Sequence, residues 1–291
     1  MENAVEIRRL NKAYRDFGLT DISLDIPEGM VVGLIGENGA GKSTLIRSML
    51  GVIRSDHECL RFFGMDMDTH EKEIREQIAV ITDCTHYDLN FTPAFIGRIL
   101  SLTYSKWDMV RYKQLLNSFC IPEKKKLKTF SRGMKMKLEF AIAFSHHARM
   151  LILDEATSGL DPLVRDEILG LIREFTVEKG HTVLLSSHIT SDLAKTADYI
   201  ACLHEGKLMF MKPMEEIREE YGIVSGSRKL LAVLNEEDII AWLEEPYSCA
   251  ILVRNRPALQ QVFSDLPLRR VTVEELMRFA LKGERRCEGS F

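Results

Sequence analysis

The stretch MVVGLIGENGAGKSTLIRSML, residues 30–50, decides the fold of this chain. It begins with an apolar run, residues 30–35, that has the length of a buried strand, and it ends with the apolar spacing of a helix. The loop between them satisfies the pattern G-x-x-x-x-G-K-S/T, which is typical of loops that bind phosphate groups. Strand, glycine loop and helix in this order predict a phosphate site in an α/β fold.

Each residue type in the glycine loop serves phosphate binding. Glycines let the backbone turn its N–H groups inward around phosphate oxygens, and the start of the following helix adds a favourable dipole. Lys42 supplies a mobile cation, and the Ser43 hydroxyl can ligate Mg²⁺. Because the pattern should arise by chance in roughly one chain of this size in a hundred, a plain glycine-rich turn is the weaker interpretation. The residues assigned to phosphate binding are Gly36, Glu37, Asn38, Gly39, Ala40, Gly41, Lys42, Ser43 and Thr44.

A second motif, MLILDE at residues 150–155, is an apolar run that ends in two carboxylates. In an open α/β sheet, ligands bind at the carboxyl ends of the strands. We therefore expect Asp154 to hold the Mg²⁺ shell and Glu155 to orient or deprotonate an attacking water. Acidic residues also follow strands as helix caps or loop positions. Without the glycine loop, this plain interpretation and the catalytic one would be about equally supported.

Up to about residue 221, short strand-like apolar runs alternate with longer segments of helical spacing. This alternation predicts an α/β domain with a largely parallel sheet over residues 1–221. Between residues 93 and 147 the pattern predicts three successive helices and no strand, so a helical insert interrupts the sheet. The predicted strands lie at residues 5–10, 22–26, 30–35, 60–63, 78–82, 150–153, 182–186 and 199–203.

The chain after residue 221 is expected to form a small accessory domain, residues 222–291. Its first residues, GIVSGSR, have the glycine and serine punctuation of a linker. Apolar runs at residues 229–234, 236–245, 249–253, 257–266 and 273–281 then predict a βαβα-type unit. This part of the sequence carries no catalytic constellation, and packing or dimerisation is its favoured role.

Composition narrows the class of protein. With 45% hydrophobic and 28% charged residues, the chain is typical of globular proteins. A net charge of -4 gives no support to nucleic acid or an anionic lipid surface as a partner. No apolar run approaches the length of a bilayer span, and the first residues lack a signal peptide's pattern, so we expect a cytosolic chain unless a partner holds it at a membrane. The six cysteines have no metal-site spacing. His146 and His147, at the end of a predicted helix, are expected to be solvated or to interact with the helix C-terminal dipole rather than to bind a metal.

Five segments together resemble the ATP-binding subunit of an ABC transporter, over roughly residues 5–220. The glycine loop and the paired acids are the first two. FSRGM, residues 130–134, stands where that family carries its signature sequence, and SGLD, residues 158–161, follows the paired acids as the family's D-loop does. The fifth segment contains His188, which follows a strand as the family's switch histidine does. In addition to these five segments, Tyr14 stands at the place of the aromatic that stacks on adenine.

The resemblance implies roles for these residues. Ser131 and Gly133 open a helix and would contact a γ-phosphate, whereas the plain alternative is a serine helix cap. His188 would sense the γ-phosphate or stabilise charge in the transition state, rather than act as a structural hydrogen-bonding group. Tyr14 would stack on adenine, with an ordinary core or surface aromatic as the alternative.

Three departures from the family pattern bear on these roles. Arg132 and Met134 replace the usual glycine and glutamine of the signature, and Ala156 replaces the proline after the paired acids. Asp83 replaces a glutamine that in the family connects the nucleotide to the helical insert and the membrane subunit. Asp83 is either a working substitute that ligates Mg²⁺ through oxygen or a simple loop acid.

The resemblance implies a P-loop ABC ATPase domain with a mixed sheet, most like those of ABC-2 type exporters. It implies ATP and Mg²⁺ as cofactors and a head-to-tail dimer, with this chain or a related ATPase. It also implies a separate transmembrane permease subunit, which would hold the chain at the inner face of the cell membrane. The alternatives are an ABC-type ATPase outside transport and a regulatory nucleotide-binding module that does not hydrolyse. The sequence does not identify the cargo.

Overall fold

The structure, a computed structural model, describes residues 2–82, 86–263 and 267–284. Its strands are β1 Asn3–Ala13, β2 Gly18–Pro27, β3 Val31–Ile35, β4 Cys59–Phe62, β5 Met65–Asp66, β6 Ile78–Thr82, β7 Met150–Asp154, β8 Thr182–Ser186, β9 Tyr199–His204, β10 Lys207–Pro213, β11 Gly222–Gly226, β12 Ile239–Glu245, β13 Ser248–Val253 and β14 Leu268–Arg270. Its α-helices are α1 Lys42–Met49, α2 Glu71–Arg75, α3 Pro93–Thr103, α4 Met109–Ser118, α5 Arg132–Ser145, α6 Pro162–Val177, α7 Thr190–Thr196, α8 Met214–Glu219, α9 Arg256–Val262 and α10 Val273–Lys282. Short 3₁₀ turns occupy Leu127–Thr129, Arg228–Ala232 and Glu236–Asp238.

The central sheet has the strand order β10-β9-β3-β8-β7-β6. Its strands run parallel except β10, which pairs antiparallel with β9. All five residues of β3 are buried, as expected for a parallel strand covered on both faces. Asp154 lies in register with Thr82 on one side and Ser186 on the other, so the carboxyl ends of three strands meet at one edge. The predicted α/β class with a mixed sheet is confirmed.

The first part of the chain, residues 3–66, contributes a smaller antiparallel sheet in the order β2-β1-β4-β5. Its inward side chains share one buried cluster with α1 and with one face of the central sheet, for example Ile7, Leu34, Leu45 and Phe62. The apolar face of α1 is therefore enclosed, and the loop that precedes α1 is held between the two sheets.

The helical insert lies between β6 and β7, where the described residues form α3, α4 and α5 and no strand. The helices begin at polar caps: Thr92 accepts from the backbone N–H of Phe95, and Ser131 accepts from that of Met134. The insert has a buried cluster of its own, in which Gly97 lies so close to the Tyr112 ring that a Cβ would come within 2.6 Å of it. The predicted helical insert is confirmed.

The C-terminal residues differ from the prediction. GIVSG is the strand β11 and not a linker, and residues 239–245 form the strand β12 where the βαβα order would place a helix. The result is an antiparallel sheet in the order β12-β13-β11-β14, with α9 and α10 against it. The apolar residues 239–243 of the predicted helix pair with β13, and this pairing decides for a strand. The strand β10 was not predicted either.

The C-terminal sheet is not isolated from the rest of the chain. Tyr221, Ile223, Leu276 and Phe279 belong to the same buried cluster as Leu193 of α7. The division of the chain after residue 221 stays a prediction.

His146 is buried, with 2% of its surface exposed, whereas the sequence predicted a solvated residue. Its ring stacks on the Tyr104 ring at 4.2 Å between centroids, at the junction of α5 and α3. Burial lowers the pKa of His146 to about 4, so the imidazole is neutral at pH 7. The neighbouring His147 is exposed, as predicted.

No helix among the described residues is both long and apolar enough to cross a bilayer.

Candidate active site

The glycine loop runs from β3 into α1, and at Gly36 and Gly41 it leaves no room for a larger residue. Gly41 is the N-cap of α1 with φ 106°, a conformation that L side chains rarely adopt. A Cβ on Gly41 would lie 2.8 Å from side-chain atoms of Phe17 and Leu19, and one on Gly36 would lie 2.4 Å from the carbonyl oxygen of Leu203. The glycine pattern therefore reflects close packing below the loop as well as its curvature.

Lys42 lies almost wholly inside this loop, with 6% of its surface exposed. Its Nζ donates to the carbonyl oxygen of Gly36 at 2.8 Å and to that of Glu37 at 3.3 Å. The same ammonium lies 3.5 Å from Oε1 of Glu155. The loop thus holds a cation in position before any phosphate is bound, and the cation faces a carboxylate across the site.

Asp154 and Glu155 come at the end of β7, as predicted. The Oδ1 atom of Asp154 is buried and has no hydrogen-bond partner among the described residues. A buried carboxylate oxygen without a donor costs free energy, and a cation would satisfy it. Because Mg²⁺ is usually bound by one or two protein ligands with water and phosphate oxygens, the residues fit it without a larger cluster of acids.

Glu155 is fixed by its backbone and by both carboxylate oxygens. Its φ is 54°, in the left-handed region, and its N–H donates to the carbonyl of Ser186 at 3.1 Å. Oε2 lies 2.6 Å from Nδ1 of His188, which is 47% exposed, while Oε1 faces Lys42. A non-glycine residue at positive φ is uncommon outside turns, and here it directs the carboxylate toward the glycine loop.

Glu155, His188 and residues 38–44 surround one open cleft of about 600 Å³, which we call the loop cleft. It is lined by Phe17, Asn38, Gly39, Ala40, Gly41, Lys42, Ser43, Thr44, Glu155, Ser158 and His188. The structure thus brings most of the predicted phosphate loop together with the predicted Glu155 and His188. Phe17 and Ser158 were not predicted as site residues. The sequence features that could have indicated them are the aromatic side chain of Phe17 next to β2 and the hydroxyl of Ser158 in the SGLD segment.

Tyr14 does not line the loop cleft but lies against a residue that does. Its ring is half exposed and stacks on the Phe17 ring at 6.5 Å between centroids and 25° between planes. Lys12 Nζ lies 5.2 Å from the Tyr14 ring centroid. The two aromatic rings together form one face beside the glycine loop, and the assignment of Tyr14 to the base stays a prediction.

The signature residues lie outside the loop cleft of their own chain. Ser131 caps α5 by accepting from the N–H of Met134 at 3.2 Å. Gly133 is buried against α6, where a Cβ would lie 2.9 Å from Cγ1 of Val164. Within one chain, the structure does not bring Ser131 and Gly133 to Lys42. Asp83, the departure from the family glutamine, lies outside the described residues.

Arg132, the other departure in the signature, packs on the SGLD segment. Its guanidinium lies so close to Gly159 that a Cβ there would be 2.6 Å from Nη1, and Gly159 has φ 65°. Arg132 therefore connects the start of α5 with the loop that follows Glu155, residues 156–161, which we call the 156–161 loop.

Cys202 lies on β9 directly beside Ile35, the last residue of β3. It is wholly buried, and burial raises the pKa of its thiol to about 12, with a smaller contribution from Glu37. The thiol therefore stays protonated, and nucleophilic chemistry by this cysteine is excluded at neutral pH.

The comparisons with known proteins agree with this geometry. Residues 19–158 match the family model described as "ABC transporter". The chain is 31% identical over 218 residues to the ABC transporter ATP-binding protein YtrB of Bacillus subtilis (strain 168), an alignment that covers 75% of this chain and 74% of that protein. It is 31% identical over 226 residues to the bacitracin transport ATP-binding protein BcrA of Bacillus licheniformis, covering 75% and 72%.

A solved structure described as the ATP binding subunit of an ABC transporter matches with a TM-score of 0.66 at 26% identity, covering 74% of this chain and 91% of the other. The fold that carries the loop cleft is thus the fold of that class of subunit. The chain belongs to the ABC transporter family as an ATP-binding subunit and is an ATPase, and its likeness to the subunits of ABC-2 type exporters is confirmed.

Proposed function

We propose that the loop cleft is the site of ATP hydrolysis and that Glu155 is its general base. The observation that carries this proposal is the arrangement of Lys42, Glu155 and His188, three residues far apart in sequence, around one cleft. Lys42 and the backbone N–H groups of residues 39–44 would bind the phosphates. Glu155 would accept a proton from the water that attacks the γ-phosphorus, and ADP would leave as the new P–O bond forms.

His188 has two tasks in this proposal. Through its contact at 2.6 Å, Nδ1 orients the Glu155 carboxylate. The exposed part of the ring, at the rim of the cleft, would contact the γ-phosphate once ATP is bound.

Mg²⁺ would be held by the Ser43 hydroxyl and by Asp154, whose Oδ1 has no donor among the described residues. Bound there, it would neutralise phosphate charge and stabilise the transition state. Asp83 is the further candidate ligand from the sequence, in place of the family glutamine.

The working form would be a head-to-tail dimer. Ser131 and Gly133 open a fourteen-residue helix, α5, but lie outside their own cleft. A second ATPase copy, of this chain or a related one, would bring the same segment over the γ-phosphate bound by Lys42. ATP would then hold the two copies together, and hydrolysis would release them.

A transmembrane permease would be the further partner, and the helical insert would face it. The helix α3 buries Ile96 and Leu100 but exposes Phe95, Ile99 and Leu102, and Leu102 is 89% exposed. An apolar stripe on the outer face of a helix that already has a buried face indicates a protein contact. The chain would thus work at the inner face of the membrane. Export is proposed from its likeness to ABC-2 subunits, and BcrA is named for bacitracin transport.

Steady-state phosphate release by the purified chain tests the proposal. We expect turnover that needs Mg²⁺, and a loss of at least about 100-fold in Glu155→Gln, the size expected for a general base. ATP binding by Glu155→Gln, measured by calorimetry, should remain. Near-normal turnover in this variant would remove Glu155 from the mechanism. ATP binding with no turnover in the wild-type chain, alone and with its permease, would instead indicate a regulatory module.

A further inference from the structure

A partly buried ion pair connects the two loops that flank Glu155. Arg165 lies in the first turns of α6, directly after the 156–161 loop, and Asp192 lies in the first turn of α7, four residues after His188. Asp192 is 2% exposed. Arg165 Nε lies 3.9 Å from Asp192 Oδ2. The pair therefore spans the two segments that carry Ser158 and His188 to the loop cleft.

Arg165 also holds the 156–161 loop directly. Its Nη2 donates to the carbonyl oxygen of Leu160 at 3.2 Å. On the other side, the backbone N–H of Asp192 donates to the carbonyl of Ile189, next to His188, at 3.1 Å. With the contact between Glu155 and His188, these bonds close a ring of interactions around the general base.

The contact between the two charged groups is unusual for a structural pair. At 3.9 Å it is longer than a hydrogen bond, and neither Arg165 Nε nor Asp192 Oδ2 has another hydrogen-bond partner among the described residues. Two buried polar atoms that face each other at this distance are costly for stability, so stability does not explain the pair.

The neighbouring pair between the same helices provides a comparison. Lys195 and Asp166 join α7 to α6 at 3.5 Å, but they are 57% and 66% exposed. An exposed pair of this kind contributes little to stability or position. The Arg165–Asp192 pair is less exposed, at 26% and 3%, and its arginine also reaches the 156–161 loop.

We propose that Arg165 is a positioning residue for ATP hydrolysis, with Asp192 as its buried partner. By holding Leu160 and the start of α7 at a set separation, Arg165 keeps His188 and the 156–161 loop in place around Glu155. This inference rests on the proposed roles of Glu155 and His188. A displacement of about 1 Å in a catalytic group can cost up to about 100-fold in rate, so a loosened pair is expected to lower kcat.

The test compares phosphate release by the full chain in Arg165→Met, Asp192→Asn and their double variant. We expect kcat to fall about tenfold or more in each single variant, with KM for ATP changed by less than about twofold, because the phosphate loop is not touched. The double variant should lose no more than the worse single one, since the two residues act as a unit. The matched control is Asp166→Asn, which removes the exposed pair between the same helices and should keep wild-type kcat.

Two further measurements separate positioning from folding. Thermal melts identify any variant that is unfolded. The variant Arg165→Met/Asp192→Leu replaces both charges by apolar groups, an exchange that buried pairs often tolerate. We expect this variant to fold but to keep the low kcat. Wild-type kcat in folded Arg165→Met, Asp192→Asn or the apolar double variant would overturn the proposal. Glu155→Gln in the same assay distinguishes this failure from failure of the site assignment, which would appear as unchanged turnover in Glu155→Gln itself.

Discussion

His188 Nδ1 lies 2.6 Å from Glu155 Oε2, although the two residues are 33 positions apart in the chain. The other carboxylate oxygen of Glu155 faces the ammonium of Lys42 at 3.5 Å. The carboxylate is therefore held between an imidazole and a cation before nucleotide enters. In the proposed site, the Lys42 ammonium would turn to the phosphates of ATP, and His188 would then be the side chain that still orients the Glu155 carboxylate.

Replacing the imidazole should uncouple binding from turnover. In His188→Ala we expect kcat to fall by about 100-fold or more, because Glu155 loses the group that orients it and the γ-phosphate loses a donor. ATP affinity, measured by calorimetry, should change little, since the glycine loop and Lys42 are intact. A parallel loss of affinity and kcat would show that His188 serves binding instead.

Removing the buried cation of Lys42 should weaken ATP binding, whereas the loss of His188 mainly lowers kcat. Lys42→Ala is expected to weaken ATP binding by about tenfold or more, because a charge-assisted phosphate contact is lost. Lys179→Ala, which removes an exposed lysine, is the matched control and should bind normally. Unchanged ATP affinity in Lys42→Ala, measured by titration calorimetry, would contradict the phosphate assignment.

Replacing Gly159, beside the cleft residue Ser158, and Gly170, in the middle of α6, by alanine should change the free energy of unfolding in opposite directions. Gly159→Ala places a Cβ at φ 65° and against the Arg132 guanidinium, so we expect it to lower the free energy of unfolding by about 1 kcal/mol or more and to reduce kcat. Gly170, exposed within α6, has nothing within 4 Å of its Cβ position. Gly170→Ala should raise the free energy of unfolding by about 0.5 to 1 kcal/mol and keep kcat. Urea unfolding measures both, and equal effects would refute this account of Gly159.

The buried His146 should make stability depend on pH. Its pKa is lowered from 6.5 to about 4 by burial, so the folded chain binds no proton there in the range where the unfolded chain does. Above the unfolded pKa the full stability is present, and the free energy of unfolding should decline as pH falls from 6.5 toward 4, by up to about 3 kcal/mol.

His146→Phe should flatten this decline, because a phenyl ring can keep the stack on Tyr104 without titrating. Urea unfolding at about pH 7.5 and about pH 4.5 gives the loss of unfolding free energy between the two pH values, for the wild-type chain and for His146→Phe. The control His147→Asn replaces an exposed neighbour by a residue that tolerates positive φ. It should change the pH dependence only slightly, because His147 makes the smallest contribution to the lowered pKa of His146. A decline that persists unchanged in His146→Phe would assign it to another group.

The local motifs could be predicted because their chemistry lies in adjacent residues. The glycine loop needs a strand before it and a helix after it, and all three are contiguous in residues 30–50. The same holds for the helix cap at Ser131 and for the acids at the end of β7. Asp154 and Glu155 could be placed at the ligand edge because parallel strands put their carboxyl ends together.

The C-terminal residues could not be predicted in the same way. Their strand runs are short, and in residues 236–245 apolar spacing alone does not separate a helix from a strand. Residues 239–245 form a strand because they pair with β13, and this pairing exists only in the folded chain. The solvated state expected for His146 was wrong for a similar reason, because the helix end lies under the Tyr104 ring.

From the sequence alone, the chain's class of site, its α/β pattern and its family resemblance were determined, because short motifs and hydrophobic periodicity are local. The tertiary structure alone decided that Phe17 and Ser158 join the cleft, that Ser131 lies outside it, and that Arg165 meets Asp192 under the 156–161 loop. These contacts join segments far apart in the chain, and they depend on how helices and strands pack, which residue spacing does not encode.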